Sequence, residues 1–293
     1  MTQSGLFVGL VTLDLLYLTE ELPDRNQKIV ALDYTLAAGG PATNAAVTFS
    51  HLGGLAKLLG GVGNHPIRQL VIADLEQWGV SLIDLDPSRS DPLPTSSILV
   101  TQATGERAVV SLNAVKAQVA IDRIPSDALQ GVEVVLIDGH QMEVGLAIAQ
   151  QAKAQQIPIV VDGGSWKPGF ERLLPEVDYA ICSANFRPPG CQTPAEVLNY
   201  LNALHIPQIA ITQGEQPIYY QTNEHSGVIP VPCIQPVDTL GAGDVFHGAF
   251  CHYILQTSFQ TALARAAQIA AHACQFFGTR QWMMQGKGMT DGA

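Results

Sequence analysis

The chain has no excess of positive charge, no cysteine pair at metal-ligand spacing and no long apolar run. Fifteen basic residues stand against 26 acidic ones, a net charge of −11. That excludes nucleic acid as the main partner, because a phosphate backbone needs a basic surface. A nucleotide ligand stays open, since helix N-termini and backbone amides bind phosphate locally. The cysteines are Cys182, Cys191, Cys233, Cys251 and Cys274. They are odd in number and form neither CxxC nor a Cys/His pattern, so buried free thiols in a reducing compartment are expected. The start, Met1-Thr2-Gln3-Ser4-Gly5, lacks a basic region, and Asp14 breaks the apolar stretch after it. A signal peptide and an 18-residue membrane span are therefore not expected, and the reading is a soluble, cytoplasmic protein with no membrane partner.

Two common nucleotide signatures are also missing. Gly286-Lys287 has neither the upstream glycine nor the following Ser/Thr of a Walker A loop. Gly241, Gly243 and Gly248 fail GxGxxG spacing, because Phe246 takes the third glycine position. Any nucleotide must be held by a different phosphate cradle.

What is present is a chain of 293 residues, 47% of them hydrophobic, enough for one large core. Short β-rich runs alternate with helical periodicity. Strands are predicted over 6–12, 55–61, 132–138, 157–162, 177–182 and 209–212. Helices are predicted over 41–52, 67–78, 143–156, 194–204, 242–255 and 259–277. Pro41 suits a first helical position, and Gly53 and Gly79 suit C-terminal stops. Repeated βαβ alternation implies a mostly parallel sheet covered by helices on both faces. Residues 28–36 and 96–112 break the pattern as β-stretches without helices, the second turning at Thr104-Gly105-Glu106. They predict a small β-lid, drawn from about 13–36 and 95–114, over a site at the sheet's edge. Residues 279–293 lose periodicity and read as a flexible tail on a chain that otherwise forms one domain over 1–293.

Chemistry concentrates in two places. In Asp238-Thr239-Leu240-Gly241-Ala242-Gly243-Asp244, two glycines around an alanine let backbone N–H groups converge, and a helix begins there. Its dipole favours an anion, with Asp244 beside it as a base, a combination suited to phosphoryl transfer onto a hydroxyl. Some 200 residues upstream, Gly39-Gly40-Pro41-Ala42-Thr43-Asn44 opens another helix. Asn44 offers a donor and an acceptor to a polyol, and Asp14, placed at the end of the first strand, could pair two sugar hydroxyls.

On these residues the chain resembles the ribokinase-like (PfkB) carbohydrate kinase family. The resemblance rests on Gly39-Gly40-Pro41-Ala42-Thr43-Asn44-Ala45-Ala46 with Leu52-Gly53, on Asp238 to Asp244, and on Ile211-Thr212-Gln213-Gly214, and it covers about residues 5–278. Asp244-Val245-Phe246-His247-Gly248-Ala249 and Thr104-Gly105-Glu106-Arg107 look most like the ketohexokinase-like and sulfofructose kinase branch.

The family implies a three-layer α/β/α sandwich with a protruding β-lid and an ATP-dependent sugar kinase. By resemblance Asp244 matches the catalytic base. Gly241, Ala242 and Gly243 match the anion hole, and Asp14, Gly39, Gly40 and Asn44 the sugar site. Thr212 and Gly214 match the strand end beside the nucleotide. Asp238 matches a monovalent-cation site, with K+ its implied occupant, and ATP implies Mg2+. The Asn-x-x-Glu motif that organises magnesium in many members is absent from Ser183-Ala184-Asn185-Phe186-Arg187-Pro188. Asp162 could assist the metal through water, and Lys167 could meet a phosphate. His140 could face the sugar, whereas His247 is expected to bond locally. A nucleoside kinase and a non-catalytic binder are the alternatives. A homodimer through the lid is expected, because an exposed sheet face needs cover.

Overall fold

A computed structural model describes residues 2–112 and 118–285. The strands are β1 Ser4–Val8, β2 Thr12–Thr19, β3 Asp33–Gly39, β4 Leu55–Gly60, β5 Val80–Asp84, β6 Thr95–Thr101, β7 Arg107–Ser111, β8 Val134–Ile137, β9 Ile159–Gly163, β10 Tyr179–Ser183, β11 Gln208–Gln213, β12 Gln216–Thr222 and β13 Ser226–Ile229. The helices are α1 Pro41–His51, α2 Arg68–Gln77, α3 Met142–Ala154, α4 Phe170–Leu173, α5 Pro194–Ala203, α6 Ala242–Ile254, α7 Phe259–Ala273 and α8 Gln281–Gln285.

Among the described residues, nine strands form one sheet in the order β13-β12-β11-β10-β9-β8-β1-β4-β5. All neighbours from β11 to β5 pair in parallel, and β12 and β13 add an antiparallel edge. β1 is buried along its whole length, as a strand covered on both faces must be. Its side chains alternate between two cores: Phe7 joins one cluster, Leu6 and Val8 the other. Helices α1, α2, α6 and α7 contribute to the first cluster, α3, α4 and α5 to the second. The result is three layers, α/β/α, with no described helix long and apolar enough to cross a membrane.

A second sheet runs β3-β2-β6-β7. Its inner face, with Leu16 and Ile98, packs on Phe277. The β6–β7 hairpin turns where expected, with Gly105 at φ 66°. Positions 113–114, the expected end of this element, lie outside the described residues.

Several boundaries differ from the sequence reading. The run 6–12 is not one strand: β1 stops at Val8, and the chain turns before β2 begins the second sheet. The cause is remote, because the Asp138 carboxylate accepts the Leu10 N–H at 2.9 Å and takes it from the ladder. Asp14 therefore lies on β2, not at the end of the first strand. The β-stretch expected over 28–36 begins only at Asp33. The expected tail is folded over its first part: Thr279 and Arg280 are buried, and α8 docks Trp282 and Met283 into the core. Residues 286–293 lie outside the described set.

Candidate active site

The site forms at the carboxyl ends of the parallel strands, where open α/β sheets place their ligands. Two helix N-termini meet there. Gly40 caps α1 with φ 102°, a conformation natural to glycine, and sits so close to the Leu10 carbonyl that a Cβ would not fit. Gly241 caps α6 at φ 70°. The two helices pack tightly, since Gly248 of α6 rides on the Ala45 carbonyl of α1 without room for a side chain.

That packing joins the two sequence motifs. Asn44 Nδ2 donates to Asp244 Oδ2 at 2.8 Å across 200 residues. A Cβ built on Gly241 would lie 3.6 Å from Asp244 Oδ2 and 3.7 Å from Asn44 Nδ2. The cradle Gly241-Ala242-Gly243 therefore borders the carboxylate directly. Asp14 is buried on β2 and accepts from Thr12 Oγ1 at 2.8 Å. Gly39 presses against its carboxylate, where any side chain would collide. Burial raises the Asp14 carboxyl above its ordinary value, against hydrogen bonds from Thr12 and Ser96 and the charge of Arg280. For Asp244, burial first and the Asp162 charge second push the carboxyl up to about 7, while the Asn44 hydrogen bond pulls it down. A carboxyl so placed is poised to take a proton near neutrality.

Thr212 and Gly214 line a cavity of about 550 Å³ that reaches Ala242 and Gly243. Ile218, Val231, Phe246 and Ala270 make its wall largely apolar, suited to a flat heterocycle whose phosphates point toward the α6 N-terminus. Asp238 is buried, with Oδ1 accepting the Leu240 N–H and Oδ2 the Gly278 N–H, each at 2.9 Å. It clips the cradle loop to the C-terminal segment. The described residues contain no cluster of three or more His, Cys, Asp or Glu able to hold a metal.

His247 bonds locally through Nδ1, 2.7 Å from the Gly243 carbonyl, but its Nε2 reaches across to β10, 3.1 Å from the Ile181 carbonyl. Lys167 Nζ donates to the carbonyls of Asp138 and Ser165. His140 lies against Asp138, its ring 3.3 Å from Oδ1.

Sequence reasoning missed three residues that shape the site. Asp138 accepts the N–H groups of Leu10, Ala42 and His140 at 2.9, 3.2 and 2.8 Å, and so fixes both the turn before β2 and the start of α1. Arg280 donates to Asn44 Oδ1 at 2.9 Å and to the Ala38 carbonyl at 2.5 Å. Asp74 accepts from Arg280 Nη2 at 3.1 Å and from the Ala38 N–H at 3.0 Å. Only one local signal pointed to Arg280: apolar Trp282 and Met283 follow it closely.

Comparison with known proteins agrees with this fold. The model of the pfkB family carbohydrate kinases matches residues 3–285. Ribokinase of Bacillus subtilis is 23% identical over 276 residues, covering 92% of each chain. Deoxyribokinase of Salmonella typhi is 24% identical over 291 residues, covering 93% of each. The solved structure of Arabidopsis thaliana ribokinase with ribose and ATP superimposes with a TM-score of 0.76 at 21% identity, covering 95% of this chain and 94% of that one.

Proposed function

The chain belongs to the pfkB family of carbohydrate kinases, and from that footing we propose that it transfers the γ-phosphoryl group of ATP to a hydroxyl of a small sugar of the ribose or ketohexose class. The observation that carries this is the 2.8 Å contact between Asn44 and Asp244 beside the Gly241–Gly243 cradle. Sugar groups (Asp14, Asn44), base (Asp244) and anion hole meet there. A purely binding protein has no need of a carboxylate with a raised pKa at that junction.

Phosphoryl transfer depends on positioning and charge stabilisation. The apolar slot holds the base of ATP, and the N–H groups of Gly241 and Gly243 face the developing charge, that of Ala242 being shared with the Thr239 carbonyl at 3.3 Å. Asp14 and Asn44 orient the sugar, and Asp244 accepts the hydroxyl proton as the phosphoryl group leaves ADP. With no cluster of carboxylates gathered for it among the described residues, Mg2+ fits as an ion carried in by the nucleotide phosphates, whose charge it neutralises. Asp238 would hold K+. Its two oxygens each accept one backbone N–H, and a carboxylate has about four acceptor sites. The free state of all five thiols suits the cytoplasm.

The test is ADP release with aldoses, ketoses, deoxysugars and nucleosides, in K+ and in Na+ buffers. Turnover with a pentose or ketohexose, faster in K+, is expected. Turnover with nucleosides alone would replace this reading by a nucleoside kinase.

The second sheet serves as a lid and as a dimer interface in this account. Cross-strand register puts Leu36, Leu15 and Val110 on its outer face with Tyr34, Tyr17 and Leu99. Leu15 packs against the first core cluster, but Val110 is 76% and Tyr34 65% exposed, so the rest of this apolar face lies open. Sedimentation should give a dimer at micromolar concentration, and Val110→Glu should give a monomer. A wild-type monomer would defeat the assignment.

A further inference from the structure

We infer that Arg280 is a positioning residue for the proposed transfer: its bond to Asn44 Oδ1 orients the amide so that Nδ2 donates to Asp244. The inference rests on the kinase reading for its kinetic consequences but not for its geometry. Arg280 is 6% exposed. Its Nη1 donates to Asn44 Oδ1 and Thr279 Oγ1, its Nη2 to the Ala38 carbonyl and Asp74, and its Nε to Asp74. No donor is left to meet a substrate, so the side chain acts through what it holds.

What it holds is an amide with two ends. An Asn side chain can turn over and exchange its oxygen for its NH2 at little local cost. Arg280 offers only donors, so Asn44 must present oxygen to it. The NH2 is then left facing Asp244, where it stabilises the ionised carboxylate. Turned over, Asn44 would aim its oxygen at that carboxylate and favour the protonated, inactive form. The same guanidinium holds the carbonyl of Ala38, next to Gly39 and Gly40, and its charge reaches Asp14. Gly278, two residues earlier, is clipped to Asp238 at the anion-hole loop. The C-terminal segment thus ties both halves of the site at once, and Asp74 on α2 keeps the guanidinium in plane. The other charged groups facing Asp244 are Asp162 on β9 and Asp138 after β8, which raise its carboxyl, and His247 one turn along the same helix, which lowers it. None of them touches Arg280.

The test compares wild type, Arg280→Lys and Asp74→Asn. Lysine keeps the charge but has a single head, which cannot serve Asn44, Ala38 and Asp74 together. Displacement of a catalytic group of this size predicts kcat lower by about 10- to 100-fold, with the KM for ATP unchanged. The acid limb of the pH profile should move up by about half a unit or more. Asp74→Asn, milder because Arg280 remains, should shift the limb in the same direction. Side-chain amide spectra of protein labelled with 15N-asparagine give a readout independent of turnover, the Asn44 pair being assigned by its absence in Asn44→Ala. That pair should be sharp and slow to exchange in wild type and should lose protection in Arg280→Lys. Loss of melting temperature with an unchanged amide pair, or with an unchanged pH limb, would reduce Arg280 to a structural role. A protein without turnover in which the amide pair still depends on Arg280 would overturn the kinase reading and leave the positioning role standing.

Discussion

Asp244→Asn lowers kcat by about 10²- to 10⁴-fold, the range expected on loss of a general base, and makes the protein more stable. Asparagine has nearly the same shape and can still accept from Asn44 Nδ2 through its own oxygen, so sugar and ATP bind much as before. What disappears is the proton acceptor. The gain in stability follows from linkage. The Asp244 carboxyl is raised to about 7 by burial and by Asp162, above the value of about 3.9 for an unfolded aspartate. Its favourable contribution is present below the unfolded pKa and is lost as pH rises through the folded one. At pH 8 the folded protein carries a carboxylate it would rather protonate. The neutral amide removes that cost, and the melting temperature at pH 8 should rise by about 3 °C or more. The difference should shrink as pH falls toward 4. In the wild type, kcat/KM should fall below about pH 7 as the base protonates. A variant that melts lower than wild type at pH 8, or that keeps its kcat, would contradict the role given to Asp244.

Asp138→Ala has the largest expected effect on folding. Three backbone N–H groups lose their acceptor, that of Ala42 in a buried setting and those of Leu10 and His140 in a partly buried one. At about 1–3 kcal/mol for each unsatisfied buried donor, the loss is about 3 kcal/mol or more. Burial alone would raise the Asp138 carboxyl. The charge and hydrogen bond of His140, the charge of Lys167 and the Leu10 N–H outweigh it and hold it at about 2. This stabilisation is present above the unfolded value near 4 and is lost as pH falls toward 2. Denaturant titrations at pH 7 and pH 3 should therefore show the gap between wild type and variant narrowing in acid. The variant should also bind sugar poorly, because the turn that carries Asp14 and the start of α1 that carries Asn44 both hang on this carboxylate. Wild-type stability at pH 7 in the alanine variant would show that the three N–H groups find other partners.

The contrast between Asp138 and Asp244 shows what could be read from the sequence. Asp244 announced itself through glycines that only a special backbone needs, next to a helix start, and Asn44 did the same 200 residues earlier. Helix α1 was legible from Pro41 and Gly53, and the alternation of strands and helices gave the parallel sheet. The break between β1 and β2 was not legible, because the apolar pattern runs through Leu10 and Val11 without interruption. It is made by a side chain 128 residues away. Edge strands β12 and β13 were missed because Gln216–Thr222 and Ser226–Ile229 are only partly buried and show little alternation. Arg280 lay in a stretch without periodicity, and its partner Asp74 is 206 residues distant. Local pattern reveals backbone requirements, whereas long-range polar pairs leave almost no mark on their surroundings.

One measurement bears most directly on the claim that Asp244 drives phosphoryl transfer to a sugar. Wild type and Asp244→Asn are each incubated with ATP, Mg2+ and the sugar that binds most tightly by calorimetry, and products are followed by phosphorus NMR. The account predicts a new phosphomonoester and stoichiometric ADP with wild type. The variant should bind the same sugar and leave the ATP intact. Equal sugar binding by both proteins, with no phosphomonoester from either, would contradict it and make the chain a binding protein on a kinase scaffold.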